Sequence, residues 1–192
     1  MLLHLDADAF FAAVEQAADA RLRGRPVAVG GALRGVVASA SYEARRFGIV
    51  SAMPMARARQ LCPRLVVVPP DFERYELFSR RVFAYARDFT PLVEVGSIDE
   101  GYLDLSGCGR HPAEVGRAIQ RACLQSLRIS ISEGIGKNKL VSQIASKLRK
   151  PAGFVEVPAG GETGFLHPLS SGWLPGVGVR LGEVLRTAGL AT

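Results

Sequence analysis

The strongest restriction on this chain is the order in which two hydrophobic periods follow one another. Residues 2–5 form a short apolar run with the length of a buried strand, and residues 9–22 carry apolar side chains at helical spacing before Gly24. Asp6 and Asp8 therefore stand where a strand stops. Residues 26–29 and 36–40 read as strands, and residues 42–46 and 55–61 as short helices separated by Gly48 and Pro54. Residues 65–68 read as a strand closed by Pro69 and Pro70, after which Asp71 caps a helix to about residue 89. Phe72, Tyr75, Phe78, Val82 and Phe83 recur along that helix at a spacing that suits core packing better than base stacking. Residues 92–95 and 102–105 read as strands flanking a Gly96-to-Gly101 turn, a hairpin with Asp99 and Glu100 near its tip. A helix over 113–127 precedes an alternating strand through Ile129, Ile131, Glu133 and Ile135, and a helix over 138–149 carries Leu140, Ile144 and Leu148 until Pro151.

The order β-α, a small mixed insert, then α-β-β-α-β-α predicts an α+β fold, a sheet layered with helices. Residues 160–192 differ in texture, with Gly160-Gly161 as a linker and Leu174 to Gly178 opening a final helix, as at the start of another domain. At 192 residues the chain can bury a core without covalent staples. Cys62, Cys108 and Cys123 are odd in number and lack a C-x-x-C pair, which argues against a disulfide framework and a structural zinc. No run of about 18 apolar residues exists to span a membrane, and Asp6 and Asp8 interrupt the short apolar start, so a cytoplasmic protein without a secretory signal is expected. A formal charge of +6 favours a polyanionic partner over an acidic small molecule.

Phosphoryl transfer requires an activated hydroxyl and a neutralised leaving group, and carboxylates that share divalent ions supply both. Asp6, Asp99 and Glu100 have the right chemistry, since magnesium takes oxygen ligands and needs few from the protein. Spacing alone does not bring them together. Neighbours on a regular strand point to opposite faces, so Asp99 and Glu100 share an ion only near a turn, which Gly96 and Gly101 permit.

The surrounding motifs are HLDADAFFAAVEQ at 4–16, ASYEARRFG at 40–48, SIDEGYLD at 97–104, GIGKNK at 134–139 and KPAG at 150–153. In this order and at these intervals they resemble the Y-family, lesion-bypass DNA polymerases, with the bacterial DNA polymerase IV branch as the nearest match. The resemblance implies a polymerase palm with a mixed or antiparallel sheet and helices over residues 1–16 and 71–159. It also implies a small α/β fingers insert over 17–70 and a truncated helical thumb over 160–192. By the same resemblance Asp6, Asp99, Glu100 and the backbone carbonyl of Ala7 hold two Mg2+ ions, for which Mn2+ could substitute. Phe11 takes the place of the steric gate that excludes a ribose 2′-hydroxyl. Tyr42, Arg45 and Lys150 match the positions that hold the triphosphate of an incoming dNTP. Gly176 and Gly178 resemble the hairpin of a helix-hairpin-helix that aims backbone N–H groups at a DNA phosphate.

Asp8 reads as structural, His4 and Phe10 as core residues, and Trp173 as a packing residue, while Ser41 stays unassigned. Asn138 and Lys139 suit a helix start as well as a substrate contact. Lys137 stands where that branch commonly has proline, and Gly101 where alanine is more usual. By the resemblance, family members continue into a little-finger domain and can carry a C-terminal clamp-binding peptide, and the residues up to Thr192 are expected to include neither, whether as an excised fragment or as a naturally short protein. The expected activity is template-directed synthesis on primer-template DNA. The competing expectations are a non-catalytic DNA-binding relative and, because palm-like folds also serve them, a nucleotide cyclase.

Overall fold

The computed structural model describes residues 1–31 and 35–192 and divides into two compact units. The first comprises Met1–Asp6, Ala86–Gln120 and Ile131–Thr192, and the second Ala7–Tyr85 and Arg121–Ser130.

In chain order the strands are β1 (Leu2–Ala7), β2 (Val27–Gly30), β3 (Val37–Ala40), β4 (Val66–Val68), β5 (Val93–Val95), β6 (Glu100–Asp104), β7 (Ile131–Gly136) and β8 (Phe154–Glu156). The α-helices are α1 (Phe10–Ala18), α2 (Tyr42–Arg45), α3 (Met55–Leu61), α4 (Phe72–Arg87), α5 (Pro112–Leu127), α6 (Lys139–Leu148), α7 (Glu162–Leu166) and α8 (Val179–Thr187). The expected α+β class is what the chain adopts.

The first unit is built on a mixed sheet in the order β5-β6-β1-β7-β8, with β1–β6 and β5–β6 antiparallel and β7–β8 parallel. The predicted hairpin is therefore present as β5–β6. Strand β7 is buried along its whole length, and its two faces meet different helices. A Cβ at Gly134 would stand 2.1 Å from the Ser142 carbonyl oxygen and 2.4 Å from the Ser146 nitrogen, so α6 lies directly on the strand backbone there. Gly136 makes the same allowance for Val141. This close seat explains a departure from expectation: α6 buries Val141, Ile144 and Ala145, and Leu140 is exposed instead of facing the core. Asn138 caps the helix, its side-chain oxygen accepting from the Val141 N–H at 2.9 Å.

On the other face, Glu133 continues the row of Ile131 and Ile135 into the interior and is fully buried. Its Oε2 lies against Gly116 of α5, where a Cβ would approach to 2.6 Å. Neither oxygen has a hydrogen-bond partner among the described residues. Burial holds this carboxyl well above the usual range, and Arg117 counteracts only part of that. Strand β8, three residues between Gly153 and Val157, was not expected, because so short a run carries no period.

The second unit carries a three-stranded sheet, β3-β2-β4, antiparallel between β2 and β3 and parallel between β2 and β4. Ala28, Ala40, Ile49, Met55 and Leu65 belong to one apolar cluster over it. The helix predicted over 9–22 is interrupted: α1 ends at Ala18, and Asp19 starts a separate 3-10 turn by accepting from the Arg21 N–H at 2.9 Å. Asp71 caps α4 as expected, accepting from the Arg74 N–H at 3.0 Å. Tyr75, Val82 and Phe83 are buried as the stripe predicts, whereas Phe72 is 59% exposed.

Two outcomes follow from the packing of β7. Gly134→Ala forces a methyl into backbone atoms that cannot rotate away, and urea denaturation should show a loss of about 3 kcal/mol. Because the folded-state pKa of Glu133 is raised, its cost to stability is absent below the unfolded value of 4.5 and grows as pH rises toward the folded pKa. The stability gap in favour of Glu133→Gln should therefore widen as pH rises above 4.5, measured by urea titration at each pH; a constant gap would contradict the assignment.

Candidate active site

Two of the three candidate acids are brought together by strand register. Asp6 pairs directly with Glu100 across the antiparallel β1–β6 ladder, and His4 with Tyr102 two residues away on the same face. Like charges in opposite positions repel, and the repulsion is felt: Asp6 is 7% exposed, and its pKa is raised by burial first, with the charges of Asp99 and Glu100 adding to it. The Lys150 ammonium works in the opposite sense by donating to Asp6 Oδ1. Ala7, buried, closes β1.

Asp99 lies in the bend before β6. The Ser97 hydroxyl donates to Asp99 Oδ1 at 2.6 Å and accepts from the Glu100 N–H at 3.3 Å, while the Gly96 and Ser97 N–H groups both donate to the Glu100 carbonyl at 3.0 Å. The tip is thus folded around one serine. Among the described residues, no three His, Cys, Asp or Glu side chains converge as a ready metal cage. Asp6, Asp99 and Glu100 are electrostatic neighbours, each held by its own partner.

Glu100 faces the Lys147 ammonium at 3.3 Å and His4 Nε2 at 3.8 Å. The histidine is not a cation there. It is fully buried, and burial, followed by Lys147 and Lys150, pushes its pKa down to about 3. Its Nδ1 is 2.8 Å from Ser146 Oγ, which also lies 2.8 Å from the Gln143 carbonyl oxygen. His4 is the core strand residue expected, although its ring also borders the acids.

In the second unit, Phe11 is half-buried and stacks on Tyr75 with centroids 4.5 Å apart and an 18° interplanar angle, while Phe72 meets it edge-on at 5.9 Å. The partly open end of α4 thus uses Phe72 to support Phe11. Tyr75 is fixed in turn, its hydroxyl donating at 2.8 Å to buried Glu15, which also takes a 2.6 Å bond from Arg74. Tyr42 and Arg45 share helix α2, with the guanidinium carbon 4.7 Å from the tyrosine centroid and Nε donating to the Ala40 carbonyl at 3.0 Å. Ser41, unassigned from sequence, caps α2 by accepting from the Ala44 N–H at 3.3 Å. Asp8 is structural as read: its N–H donates to the Ser130 carbonyl and its Oδ2 accepts from the Ser130 hydroxyl, both at 2.9 Å.

In the first unit, Gly176 has a φ of 86°, which favours glycine, and Gly178 precedes α8 with no side-chain cap. Trp173, read as a packing residue, is 40% exposed.

An acid pair thus faces across neighbouring strands, a third acid lies in the adjoining hairpin bend, and lysines of α6 and just beyond it reach the pair. Residues 5–147 match the impB/mucB/samB family, and the chain belongs to it, among the Y-family DNA polymerases. Among curated relatives it is 50% identical over 188 residues to DNA polymerase IV of Opitutus terrae, covering 96% of this chain and 48% of that protein. It is 45% identical over 197 residues to DNA polymerase IV of Streptomyces coelicolor, covering all of this chain and 41% of that one. The chain thus spans about half the length of the curated relatives it matches. Among solved structures it is similar to an insertion ternary complex of Dbh DNA polymerase, with a TM-score of 0.93 and 31% identity, covering 100% of this chain and 58% of that one. DinB from Sulfolobus solfataricus gives a TM-score of 0.92 at the same identity and coverage.

The Lys150 contact makes a prediction of its own. A raised Asp6 pKa means that this acid contributes most to stability at low pH and loses that contribution as pH rises through the folded value. Lys150→Ala removes the charge and the hydrogen bond that counter burial, so carboxyl NMR should show Asp6 titrating at higher pH than in the parent chain.

Proposed function

We propose that this chain is the catalytic portion of a translesion DNA polymerase, a nucleotidyltransferase acting on primer-template DNA and dNTPs. The observation that carries the reading is the acid cluster itself: Asp6 and Glu100 in opposing register with Asp99 in the adjoining bend. A non-catalytic relative would have no chemical use for three mutually repelling acids, one of them nearly buried. The first two motifs, residues 4–16 and 40–48, fit polymerases better than cyclases.

Asp6, Asp99, Glu100 and the Ala7 carbonyl would hold two magnesium ions, with manganese as a substitute. The fit is chemical: the donors are oxygens, and lysine ammoniums already sit on Asp6 and Glu100 where positive charge is needed. Such ions, when bound, supply Lewis acidity toward the attacking and leaving oxygens. The primer 3′-oxygen would form a bond to the α-phosphorus of the dNTP and pass its proton to solvent water, while the bond from that phosphorus to the α,β-bridging oxygen breaks and pyrophosphate departs.

Arg45 offers a guanidinium and Tyr42 a hydroxyl to the triphosphate, and Lys150 offers an ammonium once it leaves Asp6. Phe11, held flat against Tyr75, would exclude a 2′-hydroxyl by its bulk. Gly176 and Gly178 would present N–H groups to a DNA phosphate. We assign residues 1–16 and 71–159 to a palm, 17–70 to fingers and 160–192 to part of a thumb. No helix among the described residues is long and apolar enough to cross a membrane. A sliding clamp would serve a longer form, and the cytoplasm is the proposed compartment.

Primer extension with magnesium tests the reaction. Asp99→Ala should reduce extension by at least about 100-fold, the scale expected when transition-state electrostatics are removed; unchanged extension would end the assignment. Phe11→Ala should raise the ratio of ribonucleotide to deoxynucleotide incorporation, read from extension on the same template, and an unaltered ratio would refute the gate.

A further inference from the structure

We propose that Lys147 is an internal counter-cation that competes with a divalent ion for Glu100 and thereby sets the metal affinity of the acid cluster. The inference rests on the metal-site reading given above and adds a residue that no motif singled out.

Lys147 stands in the last turn of α6, where a cation is also favoured by the helix dipole. Its ammonium lies 3.3 Å from Glu100 Oε2. Glu100 is the acid that register sets opposite Asp6, so Lys147 relieves part of the repulsion between the two. His4 Nε2 faces the same carboxylate from 3.8 Å, farther than the Lys147 ammonium at 3.3 Å.

The two lysine contacts differ in how readily they can be given up. Lys150 is seated on an acid that is almost wholly buried, with side-chain exposures of 24% and 9%. Lys147 and Glu100 are 39% and 30% exposed, so water screens their attraction and receives the ammonium when it leaves. A divalent ion brings twice the charge to the same oxygens and wins, but only after displacing Lys147. The backbone under this lysine is fixed by the seat of α6 on Gly134, so the displacement is a side-chain motion.

The test is Mn2+ binding to the 192-residue chain without DNA or nucleotide, followed by the EPR signal of the free ion. Lys147→Ala should bind Mn2+ about three- to fivefold more tightly than the parent chain, the range set by a part-exposed ion pair. Lys147→Arg, which keeps the charge, should stay close to the parent. The difference between alanine and parent should shrink in about 0.5 M KCl, where the pair is screened. Lys147→Gln gives a second neutral side chain of similar reach, should alanine disturb the fold. Equal affinities for parent and both neutral variants, with Asp6→Asn abolishing binding, would overturn the role of Lys147 and leave the metal site standing. Binding that survives both Asp6→Asn and Glu100→Gln would overturn the metal site and this proposal with it.

Discussion

The first unit depends on how closely helix α6 can lie on strand β7. Gly134 and Gly136 remove the side chains that would hold the two apart, and the helix settles onto backbone atoms. That contact has a chemical consequence at the far end of the helix. It brings Lys147 to Glu100, while Lys150, just beyond the helix, reaches Asp6; two acids opposed across a ladder are thereby supplied with positive charge by α6 and the residues that follow it. Packing and electrostatics are not separable here, because the distance that glycine permits is the distance over which the charges act.

The family was legible from the chain, because the motifs holding the acids, Phe11 and the Tyr42–Arg45 helix recur in one order, although no single residue type among them declares a role. The hairpin around Asp99 was legible because glycines bracket it, and Asp71 and Asn138 were readable as helix starts. Other features needed the register. Nothing in the sequence couples position 147 to position 100, and the pairing appears only once β1 and β6 align and α6 is seated. His4 had a signal that could have been used further: two residues before Asp6 on a strand is the same face.

The errors have physical causes as well. Phe72 fits the helical stripe by spacing, yet it lies at the first turn of α4, where the stripe runs out of core and into contact with Phe11. Leu140 was placed by periodicity on the inner face, but the helix is turned so that small residues meet the glycine strand. The Glu15–Arg74–Tyr75 network left no pattern, because a buried acid inside an apolar helix reads as an ordinary polar position until its partners are known.

The three acids are not mounted alike. Asp6 and Glu100 belong to paired strands, and their backbone positions are set by the ladder, whereas Asp99 hangs from a bend that closes around the hydroxyl of Ser97. Register therefore fixes two of the acids, while the place of the third is set by the three hydrogen bonds that Ser97 makes within the bend.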